Sequence, residues 1–231
     1  MNPTKLNSKK IKINESLAEY YGAMIGDGCL TKYFVNYYQK WKYCTLMTGH
    51  THDEPYYRNT LQKISIKEFN IKGYIRFRKD ENVTRFEIYT KEVFNFFKNL
   101  GFPIGLKRKL YIPREILQNK RLSLACVRGI FDTDGTIYRR YSKKYDNHYR
   151  LYNYQNVQFK LKSFKVIDQI KSILENNGIK TTKIGFNNSF PVFRICDQEM
   201  VHKFMELVKP SNKYHTTRYL NNLKLSHNGG P

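Results

Sequence analysis

The spacing of apolar positions runs through one set of elements and then repeats it. Apolar and small residues recur at helical intervals up to Asp27, with Asn14 or Ser16 placed to cap the start and Gly28 to supply a left-handed stop. Residues 29–50 predict two strands, and Asp53 is placed to cap a helix to about Phe69. Residues 72–79 alternate, with Ile75 and Phe77 on one side and Arg76 and Arg78 on the other. Residues 84–89 set Phe86 and Ile88 against Arg85, Glu87 and Tyr89, and Asp80-Glu81-Asn82 forms the turn between the two strands. A helix from about Lys91 to Leu100 follows. Residues 101–113 are then a connector punctuated by Gly and Pro and carrying Lys107, Arg108 and Lys109.

The order then recurs. A second apolar helix ends at Asp134, and two strands lie within residues 136–162, where Val157, Phe159 and Leu161 alternate with Gln158, Lys160 and Lys162. A helix from Phe164 to about Asn177, strands at about 179–186 and 190–197 around an Asn187-Asn188 turn, and a helix from about Gln198 to Val208 complete the copy. The expected fold is α+β, with two pseudo-symmetric αββαββα halves. Their boundaries fall at residues 1–104 and 121–231, joined by a connector over 105–120, and the second half ends in a basic tail. Each half forms an antiparallel sheet with helices on one face and the other face free for a partner.

One short pattern marks both copies. Leu17-Ala18-Glu19-Tyr20-Tyr21-Gly22-Ala23-Met24-Ile25-Gly26-Asp27-Gly28 is matched by Leu124-Ala125-Cys126-Val127-Arg128-Gly129-Ile130-Phe131-Asp132-Thr133-Asp134-Gly135. Gly22 and Gly26, like Gly129 and Thr133, are four apart, so each pair lies on one helix face and lets two backbones approach closely. Core packing alone explains one such stripe; two stripes that both end in Asp-Gly imply a paired arrangement. A carboxylate at a helix C-terminus sits in an unfavourable field, because the unpaired carbonyls there carry about −0.5 of a charge. Two of them converging call for a cation between them. Carboxylates and main-chain carbonyls make an oxygen-rich site suited to Mg²⁺, and divalent ions beside a phosphodiester can activate water and stabilise the leaving oxygen. Asp27 and Asp134 are therefore candidates for metal-dependent phosphodiester cleavage.

Charge supplies the substrate class. Lys and Arg number 41 against 19 Asp and Glu, a formal charge of +22 that points to a polyanionic partner. The 19 Tyr and 15 Phe argue for a folded core rather than a disordered basic tail. No run of about 18 apolar residues spans a membrane, and the Lys-rich start has no apolar signal core. The four cysteines form no C-x-x-C pair, so zinc is unsupported and reduced thiols in an intracellular setting are expected, whatever the compartment. Arg76, Arg78 and Arg85 on one sheet, and Arg139, Arg140, Gln158, Lys160 and Lys162 on the other, can track a nucleic-acid groove. For any one charged face, solvation is the simpler reading; the summed charge argues against it for the set.

The two motifs resemble those of the LAGLIDADG homing endonucleases in their single-chain, two-motif form, and the element order also fits. The resemblance implies two sheets forming a DNA-binding saddle over a long asymmetric duplex target, cut across the minor groove to leave short 3′ overhangs. It assigns metal binding to Asp27 and Asp134, with the carbonyls of Gly26 and Thr133 assisting. Mg²⁺ is the expected cofactor, and Mn²⁺ or Ca²⁺ also suit such ligands. An earlier motif acid, structural in the family, is matched by Asp132 but by Ile25 in the first copy. The family's basic site residues correspond by spacing to Lys107 and Lys213, 80 residues beyond Asp27 and 79 beyond Asp134. Lys162 and His50 stand where a polar site residue is common. A catalytic and a phosphate-contact role both suit these four.

The expected function is thus a monomeric, Mg²⁺-dependent, site-specific endonuclease of double-stranded DNA that needs no protein partner. The alternative is a non-cleaving relative: a maturase binding intron RNA, or a DNA-binding regulator. Both acids favour the nuclease, since a purely binding protein has no use for them there. An intein-embedded domain is disfavoured by Met1 and by a C-terminus in which His227-Asn228 is followed by Gly229.

Overall fold

The computed structural model describes residues 11–78, 81–107, 109–143 and 149–227, with side chains described outside 141–153 and 224–227. Arg108, Asp80 of the expected turn, the His227-Asn228-Gly229 end and four of the tyrosines between 136 and 162 lie outside the described residues or side chains.

The first half begins with α1 (Glu15–Asp27), whose start is capped by the Asn14 side chain accepting from the Leu17 amide. Strands β1 (Gly28–Val35) and β2 (Lys40–His50) follow as a hairpin. A helical stretch then runs through α2 (Glu54–Tyr56), a π-helical turn over Tyr57–Leu61, and α3 (Gln62–Phe69). Strands β3 (Tyr74–Arg78) and β4 (Val83–Ile88) and helix α4 (Lys91–Asn99) complete it. After a short α5 (Arg114–Leu117) the second half repeats the order. It contains α6 (Lys120–Asp134), β5 (Gly135–Lys143), β6 (Tyr149–Lys160), α7 (Phe164–Asn176), β7 (Gly185–Asn187), β8 (Phe190–Ile195) and α8 (Gln198–Val208). The basic tail forms a further helix, α9 (Lys213–His227).

The two sheets have the same topology, β1-β2-β4-β3 and β5-β6-β8-β7, with every named pair antiparallel. Alternation sorts their faces. Leu30, Met47, Phe86 and Ile88 turn inward and are buried, as are Ile137, Val157, Phe159, Phe193 and Ile195 in the second sheet. The edge-to-face contact of Tyr43 with Phe94, 5.1 Å between ring centres, shows α4 covering the inner face of β2. The opposite faces carry the polar residues and stay open.

Helices α1 and α6 join the halves through backbone contact. A β-carbon on Gly22 would lie 2.0 Å from the Cys126 carbonyl oxygen, and one on Gly129 would lie 1.9 Å from that of Glu19. The contact is reciprocal under the motif repeat. One on Gly26 would meet the Thr133 hydroxyl, which is held on its own helix by donating to the Gly129 carbonyl at 2.9 Å. An ion pair between Arg128 and Glu19, 3.0 Å, ties the two helices above the glycines.

Gly28 does not supply a left-handed stop. Its backbone is extended, φ −80°, and it opens β1. Glycine is required because a β-carbon would meet the Met24 main chain at 2.5 Å, and Gly135 meets Phe131 in the same way. Each motif helix therefore turns straight into a strand, leaving its aspartate at the corner.

Candidate active site and nucleic-acid interface

Close packing of α1 on α6 brings their C-termini together and so fixes Asp27 beside Asp134. A β-carbon on Gly26 would come within 3.4 Å of the Asp134 carboxyl carbon. Burial, and next the Asp134 charge, push Asp27 up to about 8, while a hydrogen bond from Tyr57 and the charge of Lys107 pull it down. Asp134 keeps a solvent-facing side at the mouth of the site, yet burial of its carboxyl raises it too, opposed by Lys107 and reinforced by Asp53.

Lys107 reaches this corner because the connector docks along β1, where Ile104 bridges Leu30 and the Gly105 amide donates to the Leu30 carbonyl at 2.8 Å. Its ammonium donates to the carbonyl of Ile25, 2.9 Å, and to that of Gly26. A lysine thus caps the negative end of α1. The Gly26 carbonyl, expected to assist a metal, is engaged by Lys107 here. Burial lowers the Lys107 pKa, and the charges of Asp134 and Asp27 oppose that.

The second half departs from the spacing argument by one residue. Asn212, not Lys213, donates to the carbonyl of Asp132, the motif counterpart of Ile25, at 2.9 Å. Lys213 is exposed at the first turn of α9. The shift arises from how the tail is anchored: the Ser211 amide donates to the buried Asp132 carboxylate, 2.8 Å, which fixes Asn212 as the next residue inward. Asp132 is accordingly a docking point for the tail.

Three site residues were not legible in the pattern. The Tyr57 hydroxyl donates to Asp27 Oδ2 at 2.6 Å. Asp53, expected as a helix cap, makes no capping bond to α2; it accepts from the His50 amide at 3.1 Å and from Asn212 at 2.9 Å. A β-carbon on Gly49 would fall within 3.1 Å of Tyr57, Asp27 and Asp53 oxygens alike, so these groups converge on one point of the β2 end. Above them the His52 ring stacks between His50 and Tyr214 at 4.2 and 4.0 Å.

On the other side, a cleft of about 420 Å³ is lined by Gly26, Lys107, Asp134, Lys160 and Lys162. Register makes His50 and Lys162 equivalent. Gly28 faces Met47 and Gly135 faces Phe159, and three residues further along come His50 and Lys162. The centre is therefore asymmetric, with Tyr57, Asp53 and Asn212 around Asp27, and Lys107 and Lys162 beside Asp134.

The open faces hold most of the expected groove residues. Arg76 and Arg85 are cross-strand partners, and Arg76 also pairs with Glu87 at 3.2 Å; Arg78 pairs with Glu81 at 3.1 Å. Gln158 accepts from Arg194 at 2.8 Å and Lys160 donates to Asn187 at 3.1 Å. Arg140 is exposed. Arg139 is the exception: it pairs with Gln155 on the inner face, where Gln155 bonds to Tyr219 of α9. Adjacent positions on β5 point to opposite faces, and the register shift between Arg139 and Tyr141 takes up its extra residues on β6, so alternation alone separates the two arginines.

Residues 121–209 match the family model of the LAGLIDADG-like domain. The architecture matches solved LAGLIDADG structures along most of its length. The chain carries a LAGLIDADG-like domain on the single-chain LAGLIDADG fold. A variant of I-DmoI in complex with its target DNA in the presence of Mg is 18% identical, covers 85% of this chain and 97% of its own, and has a TM-score of 0.61. I-DmoI in complex with DNA and Mn is 17% identical, covering 84% and 96% at a TM-score of 0.58. The LAGLIDADG meganuclease I-CpaMI bound to uncleaved DNA is 12% identical, covering 94% and 92% at 0.62. No curated protein sequence matches the chain. On the LAGLIDADG fold, Asp27 and Asp134 occupy the C-termini of the two motif helices.

Proposed function

We propose that this LAGLIDADG protein is a monomeric, site-specific endonuclease that hydrolyses both strands of a long, asymmetric DNA duplex with a divalent cation, leaving short 3′ overhangs. The observation that carries this reading is the meeting of Asp27 and Asp134 at the ends of α1 and α6, between two open basic sheet faces. The I-DmoI complexes with DNA, one in the presence of Mg and one with Mn, support it by analogy of fold.

The residues fit a hard divalent ion. Asp27 and Asp134 are raised in pKa by burial, and Asp27 also by its neighbour's charge, an arrangement that a cation relieves. Among the described residues no three His, Cys, Asp or Glu side chains form a self-sufficient cage. Two carboxylates that leave the remaining positions to water and phosphate oxygens match the habit of Mg²⁺. When bound, the ion supplies Lewis acidity to the scissile phosphate and to water.

The chain's own groups do the rest. Tyr57 fixes the rotamer of Asp27 and holds one of its oxygens. Lys107 and Lys162 place positive charge along the cleft beside Asp134, where the phosphate gains negative charge during displacement. Arg76, Arg85, Arg140, Gln158 and Lys160 hold the duplex in register on either side. Phosphate contacts give affinity and base-edge contacts give specificity.

Selection from a randomised duplex pool tests the reading: Mg²⁺ should yield discrete double-strand breaks at one family of sequences, and EDTA should abolish them. Asp27→Asn and Asp134→Asn should retain binding and lose cleavage by at least about 10²–10³-fold, the scale of removing a central electrostatic group. Undiminished cutting by either variant sinks the assignment. Binding to structured RNA with no cleavage of any duplex would favour a maturase.

A further inference from the structure

We propose that the back of the β1–β2 hairpin is a separate binding site for an unpaired nucleic-acid strand. Phe34 and Trp41 face each other across this hairpin, on the side that carries Leu30 and Met47 further in. That is the inner side of the sheet, opposite the open basic face. Leu30 and Met47 are buried under the helix layer, yet Phe34 is 41% exposed and Trp41 54%. The hairpin outruns its cover: α4 reaches Tyr43, whose ring packs on Phe94, and Trp41 lies one inward-facing position beyond.

Core-type positions without a core are costly to leave in water, and here they hold the two largest apolar rings of the hairpin. Phe34 and Trp41 meet edge to face at 5.5 Å. At the tip Tyr37 and Tyr38, 88% and 59% exposed, meet at 4.9 Å. Lysines lie over three of the rings: Lys32 over Trp41, Lys42 over Tyr38 and Lys91 over Tyr43, all within 5.8 Å. No acid occurs between Gly28 and His50, and Glu92 is the one acid in the adjoining first turn of α4.

Charge and shape select the occupant. Exposed rings with lysines beside them present stacking surfaces and phosphate partners together, the combination used for single strands. A duplex keeps its base faces stacked inside and cannot use them. A purely apolar protein partner would leave Lys32 and Lys91 facing it unpaired. RNA and DNA single strands share the chemistry required.

Trp41 is the only tryptophan, so its fluorescence reports this surface alone. The full-length protein would be titrated in EDTA with oligouridylate and with oligothymidylate of about 12 nucleotides, with and without saturating random duplex. Quenching that persists with duplex bound is expected, and the two arms identify which sugar is preferred. By anisotropy of a labelled strand, Trp41→Ala should weaken binding about tenfold and the Lys32→Ala/Phe34→Ala pair about fivefold or more, the scale of one lost stacking contact. Duplex affinity and melting temperature should not move in either variant. No quenching, quenching abolished by duplex, or strand binding undiminished in Trp41→Ala overturns the proposal. Loss of a self-associated species in Trp41→Ala, with strand binding intact, would likewise overturn it in favour of a contact between copies. None of these readouts depends on cleavage, so failure here leaves the nuclease reading standing, and the reverse.

Discussion

The Tyr57 hydroxyl donates to Asp27 Oδ2 across 2.6 Å, from a π-helical turn to the end of α1. Burial and Asp134 push Asp27 up to about 8, and this bond is the largest force pulling it down. A carboxylate that holds metal works ionised, so cleavage should rise as pH climbs through that value. Tyr57→Phe removes the donor while keeping the ring, and should move the acidic limb of the profile to higher pH and raise the Mg²⁺ needed for half-maximal rate. Single-turnover pH profiles of parent and variant check this; coincident curves would mean that Tyr57 merely fills space.

The same shift fixes a stability trend without metal. Between the ordinary carboxylate value near 4 and about 8, folded Asp27 holds a proton that the unfolded chain releases. The folded state binds more protons there, so stability is greatest on the acid side and declines as pH rises through the window. Asp27→Asn cannot ionise and should escape the decline, melting about 2–4 °C above the parent at the alkaline end if the gain is ~1 kcal/mol. Thermal scans across the window, with EDTA present, should bring the two curves together in acid.

The glycines of the motif helices carry the opposite expectation. A β-carbon on Gly22 or Gly129 would sit about 2 Å from a main-chain carbonyl oxygen of the facing helix, where no flexible side chain can give way. Gly22→Ala and Gly129→Ala should each cost about 3 kcal/mol or more, lowering the melting temperature by roughly 6–12 °C. A similar change at Gly105, where a β-carbon meets nothing within 4 Å, tests backbone conformation alone, because its φ is +76°. If Gly22→Ala melts like the parent, the helices do not approach as closely as described.

Sequence pattern carried the architecture far because each half buries one sheet face, and burial writes itself into alternation. Phe86 and Ile88 against Arg85 and Glu87 is legible for that reason. The motif pair was legible because close approach demands small residues at fixed spacing. Contacts between distant segments leave no such periodic trace. Asn212 meets Asp53 across 159 residues, and no local rule links them. Tyr57 lies inside a helix where an aromatic reads as core, and it is core except at its hydroxyl. Arg139 and Arg140 are neighbours on one strand, and only the pairing of Arg139 with Gln155 shows which of the two turns inward.

Lys107 and Asn212 hold equivalent carbonyls with unequal charge, and their substitutions should part accordingly. Lys107→Met should lower the cleavage rate with near-normal duplex affinity. Asn212→Ala should act on stability, since it strips partners from the buried Asp53 carboxylate and the Asp132 carbonyl; about 1–3 kcal/mol is the scale of a buried group left unpaired. Lys213→Ala should leave the cleavage rate at saturation unchanged and alter only salt-dependent affinity. A rate loss in Lys213→Ala equal to that in Lys107→Met would restore the lysine as the functional equivalent.

Arg139 and Arg140 are adjacent in sequence and face opposite sides of β5. Arg140 is exposed, whereas Arg139 shares the inner face with Gln155 beneath α9. Arg140→Ala should weaken duplex binding and flatten the slope of log affinity against log salt by about one, the signature of one lost phosphate contact. Arg139→Ala should leave that slope alone and lower the melting temperature, because Arg139 shares the inner face with Gln155, which donates to the Tyr219 carbonyl of the tail helix. Measured side by side over the same salt series, the pair separates a groove face from a packed face without any knowledge of the target sequence. A slope change in Arg139→Ala as large as that in Arg140→Ala would place both arginines on the duplex and overturn the inward placement of Arg139.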